Sequence, residues 1–230
     1  MNSYKRTVQG VSGFSRSPFN YKGKKNNMKK YILMFLLMFS TSAFAEFHGG
    51  VSYDSDYFFR GVSQTNGKSS ASAWLDWNSD QGIYVSAWAG QVDFGDTASL
   101  ESNFYIGKES ILTDNLSVDV GLLEYRYDHG YENLLEAYVG LNYGNVSLYH
   151  YVDTDTHNDY SLVSYGLWFV PVVDASISYG MFDKNNNHVQ LNVDYNINDD
   201  FILGIDITEK IINGDYLVKN SIAVGLSYNF

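Results

Sequence analysis

Acidic side chains recur at alternate positions along residues 46–230, where basic side chains are scarce. If one face of each alternating segment points into a shared interior, these acids line it together with Arg60. The predicted lining acids are Asp54, Asp56, Asp76, Glu101, Asp119, Glu136, Asp174, Asp194 and Asp206. A pore with this lining attracts cations and repels anions. In the alternative interpretation the acids are hydrated or paired and the interior is plugged.

Catalytic and metal-binding chemistry has weaker support from the residues. His129 and His157 lie among acids in predicted loops, and a Ser-His-acid set depends on geometry that sequence order does not show. No local block pairs His and Ser before an Asn-Gly as a phospholipase-like site would. The segment 152–159 alternates Asp and His but lacks the Gly and closing Glu of an EF-hand loop. We predict a protein that is not an enzyme, with no cofactor and no metal site.

Charge is divided unevenly along the chain. Residues 1–45 contain eight of the 15 Lys and Arg and no acid, so the remainder has a formal charge of −19. Nucleic acid is not expected as a partner, because phosphate binding needs a basic face. The absence of cysteine excludes a disulfide framework.

The basic end of the chain resembles a targeting segment. Residues 28–45, MKKYILMFLLMFSTSAFA, show the charged, apolar and Ala-x-Ala regions of a secretory signal peptide. Their apolar run is far shorter than the about 20 residues that a membrane-spanning helix needs. We predict a mature chain that starts at Glu46, and we interpret residues 1–27 as a wrongly assigned start or an extended n-region.

Period-two alternation recurs through the mature chain and predicts twelve β-strands. The predicted strands are 47–61, 69–79, 82–93, 99–109, 115–126, 133–143, 145–153, 160–169, 172–182, 187–197, 200–209 and 217–230. Tight connections such as LTDN and YGN alternate with longer polar connections such as SQTNGKS and DTDTHNDY. An even number of strands with short turns on one side and longer loops on the other is typical of an outer-membrane β-barrel of a Gram-negative bacterium.

The two faces of the strands distinguish a membrane barrel from a soluble sandwich or barrel, in which the apolar face would pack into a core. One face is aliphatic, with aromatics near the strand ends: Tyr53, Tyr57, Phe59, Trp77, Tyr143, Tyr195, Tyr228 and Phe230. Such aromatics form girdles at the membrane interfaces. The other face is small and polar, which suits a wet lumen. The predicted fold is an all-β, transmembrane, antiparallel up-and-down barrel over residues 46–230, with both termini in the periplasm.

The stretch DSDYFFRGVSQTNG, residues 54–67, shows how the two faces alternate at the end of the predicted first strand. Odd positions such as Tyr57 and Phe59 are predicted to face lipid, and Arg60 to face the lumen. An arginine on the lipid face near the midplane would cost about 2–4 kcal/mol. Arg60 is interpreted either as a salt bridge across the lumen wall or as a constriction residue that meets passing solute. Asn66 and Gly67 predict a turn in the first outer loop.

The block SDYFFRGVSQTNGKSSASAWLDWNSDQGIYVSAWAGQVDFGD, residues 55–96, resembles the signature of the TorF family of porin-like outer-membrane proteins. The resemblance covers about a quarter of the mature chain and implies an outer-membrane location and passive transport. The terminal Phe230, with Tyr228, resembles the C-terminal aromatic signal by which outer-membrane barrels are recognised. It implies the barrel-assembly machinery as a partner, besides outer-membrane lipid.

The predicted function is passive diffusion of small hydrophilic solutes through a weakly cation-preferring, porin-like channel. Inward aromatics could fill the lumen or stack on a sugar or nucleoside-like ring; they are Trp74, Trp88, Tyr105, Tyr138 and Trp168. Two alternatives stay open. One is a non-conducting barrel that acts through its outer loops in adhesion or as a structural protein, and the other is an outer-membrane lipid hydrolase.

Overall fold

The computed structural model describes residues 46–95, 97–129, 131–170, 172–182, 186–212, 215–216 and 221–230. The predicted signal peptide, 28–45, and the segment 1–27 lie outside the described residues. Within the described part of the chain, every regular element is a β-strand. No helix among these residues is long and apolar enough to cross a membrane.

Twelve long antiparallel strands form the wall of a closed barrel, which confirms the predicted fold class. The strands are β1 (Glu46–Asp54), β2 (Ser70–Asn78), β3 (Ile83–Gln91), β4 (Leu100–Thr113), β5 (Leu116–Tyr127), β6 (Leu134–Tyr143), β7 (Val146–Asp153), β8 (Asp159–Val170), β9 (Val173–Phe182), β10 (Asn186–Asn196), β11 (Phe201–Ile212) and β12 (Ser221–Asn229). Each strand pairs with the next along the chain. The barrel closes where β12 pairs with β1, for example at Asp54 and Gly225.

Alternation along each strand separates an apolar outer surface from a polar interior. In β5, Val120 is 48% exposed whereas the neighbouring Asp119 is 8% exposed. Because successive side chains of a strand point to opposite faces, this pattern fixes which residues share the interior. Of the aromatics predicted for the girdles, Tyr53, Tyr143, Tyr195, Tyr228 and Phe230 are exposed on the outer surface.

The connections follow the predicted alternation of tight turns and longer loops. At one rim, turns such as 79–82 and 144–145 use left-handed glycines, Gly82 with φ 78° and Gly144 with φ 55°. Both ends of the described barrel lie at this rim, where Gly49 and Phe230 exchange backbone hydrogen bonds of 3.2 and 2.9 Å. The longer loops lie at the opposite rim. In the first of them Asn66 and Gly67 both have positive φ, as predicted for the turn.

The prediction of a first strand over 47–61 was wrong in its second half. Strand β1 ends at Asp54, and residues 55–69 form a loop, here called L1, that folds into the barrel. Phe59 is 1% exposed within the interior and Tyr57 packs there against Trp88, so neither residue belongs to the outer girdle. Both rings are buried inside the barrel and do not contact the environment outside it. The alternation of residues within this segment does not by itself predict that burial.

Candidate functional site

L1 contains a short hairpin that carries Arg60 at its tip. Phe58–Phe59 pairs with Val62–Ser63, and the two turn residues have positive φ, 47° at Arg60 and 82° at Gly61. This is the backbone conformation of the tightest hairpin turns, for which glycine is the favoured residue.

Asp56, predicted to line the pore, belongs to L1. Its Oδ1 accepts hydrogen bonds of 2.6 Å from the hydroxyls of Ser63 and Thr65 and of 2.8 Å from the backbone N–H of Tyr57. Three donors that converge on one carboxylate oxygen join the two arms of the loop. Asp56 therefore positions Arg60 by shaping L1.

Arg60 is fully enclosed by the far wall of the barrel. Its guanidinium donates hydrogen bonds of 2.9 and 2.7 Å to the two carboxylate oxygens of Glu136, and one of 3.3 Å to the Tyr125 hydroxyl. The Tyr160 ring lies 4.0 Å from the guanidinium carbon. The side chains of Arg60 and Glu136 are each 1% exposed. Arg60 is therefore ion-paired, but it reaches Glu136 from L1 inside the barrel and not from the strand wall, and the pair holds L1 inside.

The wall that receives Arg60 is densely filled with tyrosine. The buried cluster comprises Phe59, Tyr84, Tyr105, Leu123, Tyr125, Tyr138, Tyr151 and Tyr160. Towards the rim with the tight turns, Asp119 accepts hydrogen bonds from Tyr84 at 2.8 Å and Tyr149 at 3.2 Å. This half of the interior is therefore occupied by side chains along much of its length.

Gly61 sits at the point where L1 touches β10. A Cβ added to Gly61 would lie 2.5 Å from the Cβ of His188, a residue that is 2% exposed. Alanine at positive φ costs about 1–2 kcal/mol through its backbone conformation alone. Because of the clash with His188, we expect Gly61→Ala to lower the free energy of unfolding by more than this. Urea unfolding of the refolded protein in detergent, followed by fluorescence, measures the loss.

Gly67→Ala is the matched control for Gly61→Ala. Gly67 also has positive φ, 74°, but a Cβ added there meets nothing within 4 Å. Its loss of stability should be limited to the cost of the backbone conformation. Equal losses in the two variants would contradict the close packing of the L1 tip against β10.

The opposite wall, here called the acidic wall, is formed by β9–β12 with β1 and β2. It carries five of the predicted lining acids: Asp54, Asp76, Asp174, Asp194 and Asp206. Ser52 donates a hydrogen bond of 2.7 Å to Asp54, Ser86 one of 2.5 Å to Asp76, Asn196 one of 3.1 Å to Asp174, and Asn192 donates to Asp206. These donors are neutral, so they stabilise the carboxylates without cancelling their charge.

Three of these acids share one row across five strands. Asp174 is directly opposite Asp194, and the row continues through Gly204 and Gly225 to Asp54. A Cβ on Gly225 would collide with the Asp54 carboxylate, and one on Gly204 would lie 3.0 Å from Asp194 Oδ1. The glycines thus let the carboxylates lie along the wall. Like charges held side by side repel one another and create a field that attracts cations.

The remaining predicted acids, Glu101, Asp119 and Glu136, are inward-facing residues of the tyrosine-filled half. Glu101 is 0% exposed and accepts a hydrogen bond of 2.9 Å from Asn103. The structure adds Glu109 and Asp153, which also point inward by register but were not predicted. Continuing the period-two parity to the ends of β4 and β7 would have identified both.

The predicted inward aromatics Trp74, Trp88, Tyr105 and Tyr138 all face the interior. Trp74 and Trp88 are directly paired and half-buried, whereas Tyr105 and Tyr138 are buried. The side chain of Trp168 lies outside the described part of the structure.

Charged hydrogen bonds tie the outer loops to one another. Hydrogen bonds from the Ser99 hydroxyl and backbone hold the pKa of Asp128 well below its usual value. A hydrogen bond from Lys68 lowers the pKa of Asp93. In the 152–159 loop, Asp153 accepts backbone hydrogen bonds in a turn. No group of three potential His, Cys, Asp or Glu metal ligands occurs among the described residues.

A histidine–serine pair lies on the outer surface of the barrel. His150 Nδ1 is 2.9 Å from Ser161 Oγ, at directly opposed positions of β7 and β8. The groove beside the pair is lined mainly by aliphatic side chains, including Val139 and Leu148, and none of its described lining residues is a carboxylate. A hydrolytic triad needs a third group that orients the imidazole, so this pair gives little support to a hydrolase.

Comparison with solved structures identifies porin barrels as similar folds. The KdgM porin is 8% identical, with a TM-score of 0.61 over 80% of this chain and 99% of that chain. The same values hold for the KdgM porin in complex with disordered oligogalacturonate. A further chain, described as "Unveiling the Mechanism Behind the in-meso Crystallization of Membrane Proteins", is 10% identical, with a TM-score of 0.52 over 80% and 83%. These similarities concern the fold.

Sequence comparison assigns the chain to a protein family. No curated protein matches the chain. The family model Gcw_chp, whose description is "Bacterial protein of unknown function", matches residues 40–211, which is well over half of the chain. The match runs from just before β1 to the end of β11 and so includes L1 and most of the acidic wall. The protein therefore belongs to the Gcw_chp family.

Proposed function

We propose that the protein is a narrow, porin-like channel of the outer membrane that allows passive diffusion of small hydrophilic solutes, with a weak preference for cations. The observation that carries this proposal is the acidic wall, where Asp54, Asp174 and Asp194 share one row and remain partly exposed to the interior. A hydrated, charged lumen lowers the cost of moving a polar solute through hydrocarbon.

L1 acts as the constriction of this channel. It enters from the rim with the long loops and crosses to Glu136 on the far wall, so it narrows the outer part of the interior. Arg60 is neutralised by Glu136 and adds little positive charge to the route. The acids of the opposite wall then dominate the field that a solute meets, which favours cations.

The outer surface supports a membrane location. Aliphatic residues such as Leu122 and Val139 are 44% and 48% exposed in the middle of their strands, as a lipid-facing band requires. We place both termini in the periplasm, because tight turns are typical of that side. Tyr228 and Phe230 are exposed at the same rim, where the assembly machinery would recognise them.

The residues 55–96 that resemble the TorF family form L1, β2 and β3, so a relationship would concern the constriction itself. The polyanionic sugar named with the KdgM porin is a poor candidate here, because it would meet the carboxylates of the acidic wall. Neutral and cationic solutes fit this interior better.

Single-channel recording of the refolded protein in a planar bilayer tests the function. Under a tenfold KCl gradient we expect stable current steps and a reversal potential of cation-selective sign. Ideal selectivity would give about 59 mV, and a weak preference gives a smaller value. Correctly folded protein that gives no current steps would refute the channel.

A non-conducting barrel is the second candidate, and the buried tip of L1 favours it. If L1 seals the lumen, the protein would act through its outer loops. Phe94, Tyr127 and Tyr131 form an aromatic cluster there, with ring centroids 5.7–6.1 Å apart. The same recording separates the two candidates, since only a channel gives current.

A further inference from the structure

Two inward-facing tryptophans stand at the edge of the acidic wall. Trp74 and Trp88 are directly opposed on β2 and β3, and both indoles are half-buried. Tyr57 of L1 packs against Trp88 with 5.2 Å between the ring centroids. A solute that passes L1 therefore meets the indole pair next.

Glycines determine how the indoles lie. A Cβ added to Gly50 would collide with the Trp74 ring, and one added to Gly90 would collide with the Trp88 ring. Each ring thus lies against a glycine of the wall, and both indoles stay half-buried in the interior. The face of an aromatic ring carries the negative part of its quadrupole.

A carboxylate stands beside the indole pair, on the side of the rim with the tight turns. Asp76 follows Trp74 at the next inward position of β2, about 7 Å further along the strand. Asp54 is farther away, because it lies opposite Ser70, four residues from Trp74, and its carboxylate leans over Gly225 of β12. An ammonium group beside the indoles is therefore attracted by the rings and by the Asp76 carboxylate.

We propose that Trp74 and Trp88, together with Asp76, form a subsite for small organic ammonium ions. The inference rests on the proposed channel function and names the class of solute that the channel prefers. A quaternary or primary ammonium ion gains both cation–π attraction, which is strongest over tryptophan, and attraction to the Asp76 carboxylate. A neutral solute of the same size gains neither.

Choline is the probe, and its block of the K⁺ current through the refolded protein is the measurement. Loss of a cation–π contact in Trp74→Leu or Trp88→Leu should raise the half-blocking choline concentration about fivefold to thirtyfold. Trp77→Leu is the matched control, because Trp77 alternates to the outer face of the same strand. Its half-blocking concentration should equal that of the wild type. Equal block in the wild type and all three variants would overturn the subsite.

Tryptophan fluorescence separates failure of the subsite from failure of the channel. Choline should change the emission of the refolded wild type and of Trp77→Leu, and should change it much less in the variant that lacks both Trp74 and Trp88. If no current flows but this response occurs, the channel fails and the subsite stands. If current flows without block and without a fluorescence response, the channel stands and the subsite fails.

Discussion

Replacing Arg60 by alanine is expected to increase the single-channel conductance and to destabilise the barrel. The change removes both hydrogen bonds to Glu136 and the ring contact with Tyr160, so L1 loses its anchor on the far wall. It also leaves Glu136 buried without its cation, which costs about 3–5 kcal/mol of unfolding free energy. Planar-bilayer recording and urea unfolding measure the two effects.

The double variant Arg60→Met with Glu136→Leu distinguishes the effect of losing the L1 anchor from the effect of leaving a buried charge unpaired. Replacing both members of a buried ion pair by apolar residues of similar volume is often neutral, so stability should return close to that of the wild type. If L1 stays docked through the surrounding aromatic rings, the conductance should also return. A wild-type conductance in Arg60→Ala would contradict the role of L1 as the constriction.

Neutralising the acidic row is expected to abolish most of the cation preference. In the triple variant Asp54→Asn, Asp174→Asn, Asp194→Asn the lumen loses the three charges of this row at little change in volume. At low salt an acid-lined cleft raises the local cation concentration by about tenfold or more. We therefore expect the reversal potential under a KCl gradient to fall towards zero. It should fall in the wild type too at 1 M salt, where the screening length is about 3 Å.

A control variant with the same change in net charge distinguishes the effect of charges in the lumen from that of charges at the rim. Asp80, Asp114 and Asp199 are exposed in the tight turns, outside the acidic wall. Changing these three to asparagine should leave the reversal potential near that of the wild type. If both triple variants lose selectivity equally, the preference comes from the overall charge of the barrel.

The barrel could be predicted because the sequence pattern that identifies each strand is local. Alternation of apolar and polar residues identifies the two faces of each strand, and each hairpin joins strands that are neighbours in sequence. Twelve weak strand signals therefore combine to predict one architecture. The inward direction of Asp119 or Asp206 follows from parity alone. Boundaries were less certain: β4 continues to Thr113 and β11 to Ile212, beyond the predicted ends at 109 and 209.

The course of L1 could not be predicted in the same way, because it depends on partners distant in sequence. Arg60 binds Glu136, 76 residues further along the chain, and no local pattern joins them. The alternation of residues 54–59 continues that of β1 and so favoured a longer strand. One local signal was present: Arg60-Gly61 places a glycine at the very end of the supposed strand, where it marks a bend.

The pairing of β12 with β1 also bears on how the barrel forms. Every other pair of neighbouring barrel strands is a hairpin close in sequence, such as Val120 opposite Val139, whereas the closing pair joins Asp54 to Gly225. Bringing such distant segments together costs about 2 kcal/mol more chain entropy than closing one hairpin. This seam is therefore the last pairing favoured during folding. Until it forms, β1 and β12 each expose an unpaired edge to which another chain can add.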